Sequence, residues 1–160
     1  MSILEANQEK VPHLLRTITL LLAQWLEDKI ANINDDWWKF CVLPSLSYQQ
    51  QQRVSISNIT TLSQFDLAAI LRIIDKNWFQ LASQCLLDNE TRSYLKELQL
   101  IRNRWAHTSC EEISADDIYR DVDTIIRLAK KLNLDSQYIA DAVAVKKTLQ
   151  PIEIITKVVE

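Results

Sequence analysis

The sequence contains no glycine in 160 residues, whereas glycine normally makes up about 7% of a globular domain. Rossmann fingerprints, P-loops and nucleophile elbows all need glycine, either for a tight turn or where the backbone approaches a phosphate. The composition therefore excludes nucleotide-binding and hydrolase sites of these kinds.

Cysteine and histidine are also scarce. Cys41, Cys85 and Cys110 lie far apart without a C-x-x-C pair, and the two histidines are His13 and His107. This spacing indicates neither a disulfide framework nor a zinc site. We therefore expect a reducing, cytoplasmic setting, with no metal and no other cofactor.

Long apolar runs and a strong net charge are missing as well. The most apolar stretch, Thr17 to Leu26, ends at Glu27 and Asp28 after ten residues, about half the length of a membrane-spanning helix. The formal net charge of −3 disfavours a whole-surface attraction for nucleic acid. We expect no membrane association, and any RNA contact must be local.

The apolar residues recur with helical spacing along nearly the whole chain. This pattern predicts an all-α protein, an antiparallel bundle of about five to six helices in one domain over residues 1–150. The tail 151–160 is β-branched and fits either a short helix or an edge strand. The predicted helices run from about Val11 to Ile33, Asp36 to Gln51, Ser63 or Asp66 to Cys85, Asn89 to His107, Ser114 to Leu132, and Asp135 or Ser136 to Leu149.

Smaller features refine this prediction. Pro12 suits the first turn of the first helix, Pro44 is expected to kink or divide the second, and the polar residues 48–61 are expected to form a loop. Ser114 is placed to cap the fifth helix. The tryptophans on apolar stripes are expected in the core, and the acidic residues around the fifth helix are expected at caps and on a solvated face. These are Trp25, Trp78 and Trp105, and Glu111, Glu112, Asp116, Asp117, Asp121 and Asp123.

The helix from Asn89 to His107 carries the chemistry. Tyr94, Leu98, Ile101 and Trp105 form a stripe that should face the core, and Asn103 and His107 should lie nearly opposite, facing outward.

Arg102 is less simply placed, about 140° around the helix from His107 and about 7.5 Å along its axis. The two side chains would therefore meet only if the helix ended before His107, or if a second chain supplied half of the site. Leu100, an apolar residue on the face of His107, favours a homodimer with two arginines and two histidines around one cleft.

The string from Ile101 to His107, followed by Ser114 to Asp117 and an amphipathic helix, resembles the HEPN superfamily and specifically its Swt-type branch. Asp36-Trp37-Trp38, Leu62 to Leu71 and Asp75 to Trp78 are similar to that branch in the same order. The family motif is an arginine, four to six residues and a histidine, with a polar residue often after the arginine. Arg102, Asn103 and His107 fit this pattern.

The resemblance implies a small helical bundle that dimerises and, in active members, cleaves RNA without a metal. His107 would be the general acid or base, and Arg102 would hold and stabilise the phosphate. Asn103 would orient His107 or a phosphate oxygen, and Arg104 would add positive charge for substrate binding.

Two other functions remain open at this point. Many HEPN domains are non-catalytic modules for dimerisation, RNA binding or regulation. The chain could also be an antitoxin or immunity protein, whose acidic face would cover a basic toxin as its cognate protein partner. The leading hypothesis is an endoribonuclease in RNA processing, toxin action or defence, with RNA as its partner.

Overall fold

A computed structural model of the chain describes residues 3–107 and 112–149. Over these ranges all regular structure is helical, so the all-α prediction is confirmed. The α-helices are α1 (Ile3–Ile30), α2 (Tyr48–Ile56), α3 (Leu67–Lys76), α4 (Trp78–Cys85), α5 (Asn89–His107), α6 (Ala115–Lys131) and α7 (Ser136–Thr148). Short helical segments connect some of them: a π-helix at Trp38–Val42 and 3₁₀ turns at Leu43–Ser45 and Leu62–Gln64.

Helix α1 is longer at its start than the sequence predicted. It begins at Ile3 rather than near Val11, and it ends at Ile30 rather than Ile33. Pro12 therefore lies inside the helix and not in its first turn. The residues before Pro12 are mostly good helix formers, and one missing backbone hydrogen bond is tolerated in a helix of 28 residues.

The prediction for residues 36–61 was right in part. The predicted helix is divided at Pro44, one of the two outcomes expected, but the part before Pro44 is a π-helix and Pro44 itself lies in a 3₁₀ turn. The predicted loop contains helix α2. Its start is fixed by a capping box, in which Ser47 Oγ accepts from Gln50 N and Gln50 Oε1 accepts from Ser47 N.

The long helix predicted up to Cys85 is two helices, because Asn77 interrupts it. The Asn77 side-chain nitrogen donates to the carbonyl oxygen of Ile73 at 2.8 Å, to that of Cys41 at 3.0 Å and to Ser45 Oγ at 3.1 Å. Side chains that bond their own helix backbone compete with helix continuation. The bond to Cys41 also connects this helix break to the π-helix, and the bond to Ser45 connects it to the 3₁₀ turn.

Three helix ends in residues 3–107 and 112–149 have a left-handed residue, and the chain has no glycine to supply it. Asn58, Leu86 and Asn133 have positive φ angles of 52°, 56° and 53° and follow α2, α4 and α6. After Leu86, the backbone N–H of Leu87 donates to the carbonyl of Ala82 at 3.0 Å, the bond of a Schellman motif. Leu86 is the unusual member, because its β-carbon disfavours this conformation and its side chain is 90% exposed.

The contacts group the chain into two compact units, Arg16–Arg92, and Met1–Leu15 with Ser93–Glu160. In the second of these units α6 and α7 pack together, and the Tyr138 hydroxyl donates to the Leu14 carbonyl at 2.8 Å. Ser114 Oγ accepts from Asp117 N, so its predicted capping role is confirmed. The predicted core positions of α6, namely Ile118, Val122, Ile125, Ala129 and Leu132, are all buried. The tail 151–160 lies outside the described residues.

Candidate functional site

The C-terminal end of α5 carries the residues of the Arg-x4-His pattern. The helix extends to His107, whose side chain is exposed, while Arg102 and Asn103 are half-buried. Since α5 does not end before His107, the structure does not show the first of the two routes that would bring Arg102 and His107 together. The outward position expected for His107 is observed.

Asn103 connects Arg102 to the outer side of α5. Its side-chain oxygen accepts from Arg102 Nη1 at 3.1 Å and from Gln99 Nε2, also at 3.1 Å. On the helix Asn103 lies about 100° from Arg102 and about 40° from His107. The hydrogen bond therefore draws the guanidinium around the helix, toward the side on which His107 lies.

Arg104 and Trp105 both bind Asp121 of helix α6. Arg104 Nη1 donates to the two carboxylate oxygens at 2.8 and 2.9 Å, and Trp105 Nε1 donates to Oδ2 at 3.1 Å. The Asp121 side chain is only 3% exposed, whereas that of Arg104 is 36% exposed. Arg104 was expected to add positive charge for a substrate, and its guanidinium is instead held by an internal carboxylate.

Burial raises the pKa of the Asp121 carboxyl above its usual value, although hydrogen bonds from Trp105 and Arg104 and the charge of Arg104 all act to lower it. Burial thus disfavours the charged carboxylate more than hydrogen bonds and charge from its two partners favour it. The expectation that Asp121 lies on a solvated face was wrong, because Trp105 and Arg104 give its carboxylate hydrogen-bond donors inside the protein.

Sequence reasoning missed this contact, and a signal for it existed. Asp121 lies between Ile118 and Ile125 on the broad apolar face of α6, where a carboxylate needs a buried partner. Thr124 on the same face is also buried, and its hydroxyl donates to Glu97 of α5 at 2.8 Å. Polar residues on the core side of α6 therefore mark where α5 is held.

A half-open groove of about 150 Å³ runs beside this contact, between α5 and α6. Both signs of charge line it, and Leu100, 63% exposed, lies at its edge. The lining residues are Glu97, Leu100, Ile101, Arg104, Asp117, Arg120, Asp121 and Thr124. The mixed charge makes the groove a poor site for an anion by itself, and it leaves Leu100 as an apolar contact point.

The stripe that should face the core is only partly buried. Leu98 and Ile101 are buried as expected, whereas Tyr94 and Trp105 are half-buried. Of the other tryptophans expected in the core, Trp78 is buried and Trp25 is half-buried.

The local positive charge of α5 is smaller than its sequence suggests. Four basic residues against Glu90 and Glu97 give +2 for residues 89–107, but Arg92 pairs with Asp75 at 3.3 Å and Arg104 with Asp121. The other two basic residues of α5 are Lys96 and Arg102.

Neither a metal site nor a membrane segment is found in the part of the chain that the structure describes. No three His, Cys, Asp or Glu side chains come together there as metal ligands would. None of the helices there combines the length and the apolar character that crossing a bilayer requires.

Comparison with known proteins identifies a family for the chain. The family model described as Swt1-like HEPN matches residues 13–133, a range that includes α5, Asp121 and the whole Arg-x4-His pattern. Neither the curated proteins nor the solved structures provide a significant match.

Proposed function

Because the chain belongs to the Swt1-like HEPN family, we propose that it is a metal-independent endoribonuclease in which Arg102 and His107 act on one phosphodiester. The observation that carries this proposal is the hydrogen bond from Arg102 to Asn103 beside an exposed His107. This bond directs a permanent cation toward the side of α5 where an imidazole is open to solvent.

The chemistry requires proton transfer and charge stabilisation but no protein nucleophile. The ribose 2′-oxygen gives its proton to a base and attacks the adjacent phosphorus, and the bond from phosphorus to the 5′-oxygen breaks. The leaving 5′-oxygen takes a proton from an acid, so the products are a 2′,3′-cyclic phosphate and a 5′-hydroxyl. Histidine serves either step near neutral pH, and the guanidinium of Arg102 stabilises the charge that develops on the phosphate.

The proposed site lies in a cleft between two copies of the chain. A straight α5 separates Arg102 from His107 by about 140°, so two copies related by a two-fold axis would bring one subunit's arginine to the other's histidine. Leu100 supports this arrangement, because it is exposed and lies about 20° from His107 on the helix. One histidine would then act as base and the other as acid.

The test is cleavage of RNA in EDTA by the wild type and by the variants His107→Ala and Arg102→Ala. Loss of a general acid or base slows such reactions by about 10² to 10⁴-fold, so both variants should lose most of the activity while keeping the wild-type melting temperature. The product ends should be a 2′,3′-cyclic phosphate and a 5′-hydroxyl. Cleavage that needs a divalent metal would contradict the proposal.

Matched controls come from exposed residues of the same types. His13→Ala and Arg16→Ala, both on α1, remove an exposed imidazole and an exposed guanidinium and should cleave RNA like the wild type. If His107→Ala also cleaves at that rate, the imidazole of His107 has no part in the reaction.

A non-catalytic module is the second candidate, and the internal pairing of Arg104 favours it. With Arg104 held by Asp121, the C-terminal end of α5 offers RNA one cation fewer than its sequence suggests. Such a module binds RNA or a protein partner without cleaving it. Binding of a labelled single-stranded RNA with no cyclic phosphate formed over long incubation would support this candidate.

A further inference from the structure

Asp121 holds α5 at two consecutive residues. Arg104 and Trp105 are neighbours in the chain, so their side chains leave the helix about 100° apart. Both nevertheless reach the same carboxylate, Arg104 at 2.8 and 2.9 Å and Trp105 at 3.1 Å. Two donors that converge on one acceptor from different directions fix the rotation of α5 about its own axis.

A second contact fixes the position of α5 along that axis. Glu97 precedes Arg104 in α5, while its partner Thr124 follows Asp121 in α6. The reversed order shows that the two helices run antiparallel, and the pair of contacts sets their register. Asp121 and Thr124 are both buried, so water competes little for either bond.

The residues of the Arg-x4-His pattern have no such contacts of their own within the part of the chain that is described. The side-chain hydrogen bonds that the structure gives to Arg102 and Asn103 stay inside α5, and the exposed imidazole of His107 forms none with the described residues. The directions in which Arg102, Asn103 and His107 point therefore follow the rotation of the helix. At this end of α5 the contact of Arg104 and Trp105 with Asp121 restricts that rotation, in addition to the buried Leu98 and Ile101.

We infer that Asp121 is a positioning residue for the proposed ribonuclease site, acting through Arg104 and Trp105, an inference that rests on the function proposed above. The buried carboxylate does not meet substrate. Arg104 acts as the partner of Asp121 and does not bind a phosphate, which gives it a different role from the one expected from the sequence.

The experiment compares Asp121→Asn with Asp123→Asn in the full-length chain. Asparagine keeps the volume of aspartate and an oxygen for Trp105, but loses the charge that holds Arg104. Asp123 is the matched control, because it lies on the same helix and its carboxylate accepts from Lys146 of α7 and Arg127 of α6, and not from Arg104 or Trp105. The rates are measured in EDTA at a temperature where both variants are folded by circular dichroism.

We expect Asp121→Asn to lower kcat by about 10 to 100-fold, since small displacements of catalytic groups have effects of this size, with little change in KM. Asp123→Asn should keep the wild-type values. Arg104→Gln should reproduce the fall in kcat, and the double variant should be no slower than either single one because both break the same contact. A rise in KM for Arg104→Gln with a weaker salt dependence would instead show that Arg104 binds a phosphate and would overturn the inference.

A second measurement separates this inference from the proposed function. The side-chain NMR resonances of Asn103 and His107 should shift in Asp121→Asn and stay in place in Asp123→Asn, whether or not the chain cleaves RNA. Unmoved resonances, or a folded Asp121→Asn with wild-type kcat, would overturn the positioning role while leaving the nuclease proposal intact. Wild-type cleavage by His107→Ala would overturn the nuclease proposal, while shifted resonances would still show that Asp121 sets the direction of these side chains.

Discussion

The Arg102 guanidinium donates to the side-chain oxygen of Asn103 at 3.1 Å. The two residues are adjacent in the sequence, yet on an α-helix they face directions about 100° apart. The bond is therefore made by the long arginine side chain bending around the helix, and Asn103 determines where its charge is presented. The polar residue that follows the arginine thus has a structural role that can be tested.

Replacing Asn103 by alanine removes this acceptor and should lower kcat for RNA cleavage by about tenfold, equivalent to about 1.4 kcal/mol. The melting temperature should change little, because the side chain is half-buried and its partners are polar groups near the surface. The control is Gln99→Ala, which removes the other donor to Asn103 and leaves Arg102 bound to it. Equal rates for Asn103→Ala and the wild type would show that Arg102 does not depend on Asn103.

The lowered pKa of Asp123 predicts how the stability of the protein responds to acid. Burial tends to raise the pKa of its carboxyl, but hydrogen bonds from Lys146 at 2.7 Å and Arg127 at 2.8 Å outweigh this, so the pKa is lower than usual. A lowered pKa in the folded state adds stability above the ordinary aspartate value of about 3.9, and this stability is lost as the pH falls through the lower, folded-state pKa.

The variant Asp123→Asn should therefore be about 1 kcal/mol less stable than the wild type at neutral pH, with the difference disappearing at the acid end. Urea unfolding across a pH series measures it. Asp35→Asn, at an exposed carboxylate, is the control and should follow the wild type at each pH. A difference for Asp123→Asn that stays constant in acid would show that packing, and not charge, is responsible.

The exposed side chain of Leu100 gives a test of the oligomeric state. If its exposed side chain lies in the contact between two copies, Leu100→Glu would bury a charge there, which costs far more than an apolar contact contributes, and the dimer should dissociate. Light scattering and native mass spectrometry measure the change.

Leu20→Glu is the matched control, because Leu20 is also an exposed leucine on a helix, at 50% exposure against 63% for Leu100. It should leave the assembly unchanged. RNA cleavage should fall with the dimer in Leu100→Glu, and a fully active monomer would remove the need for a cleft between subunits.

The left-handed conformation of Leu86 predicts that a substitution at this position will stabilise the protein. Its φ of 56° places the backbone in the left-handed region, where the β-carbon of a leucine costs about 1 to 2 kcal/mol. Its side chain is too exposed to gain much stability from packing. Leu86→Asn should raise the unfolding free energy by about 1 kcal/mol, because asparagine tolerates this conformation better. Asn133→Leu, the reverse change at the end of α6, should lower the unfolding free energy. A less stable Leu86→Asn together with a more stable Asn133→Leu would contradict this prediction.

Much of the fold could be predicted from the sequence where the helical pattern is amphipathic and long. The spacing of Ile118, Val122 and Ile125 gave the buried face of α6, and α5 and α7 were placed with nearly correct ends. The segment from Asp36 to Thr61 was not predictable in this way, because α2 contains no buried residue and is marked by its cap and not by an apolar stripe. Asn77 ended a helix through bonds to distant residues, which no local pattern shows.

The candidate site was predicted in part for a similar reason. Helix geometry gave the outward direction of His107 and its separation from Arg102, since both follow from position along α5. The role of Asp121 depends on a contact between two helices, so the spacing along α5 alone could not show it. A single carboxylate among apolar residues was the available sign.

The absence of glycine, with asparagine or leucine at the left-handed helix ends after α2, α4 and α6, also affects the unfolded chain. Glycine samples more backbone conformations than any other residue, so a chain without it has fewer conformations to lose when it folds. The local strain at Leu86 is thus accompanied by a smaller entropic loss spread over the whole polypeptide. Introducing glycine at exposed helical positions would widen the denatured ensemble and lower stability without breaking any contact seen in the native protein.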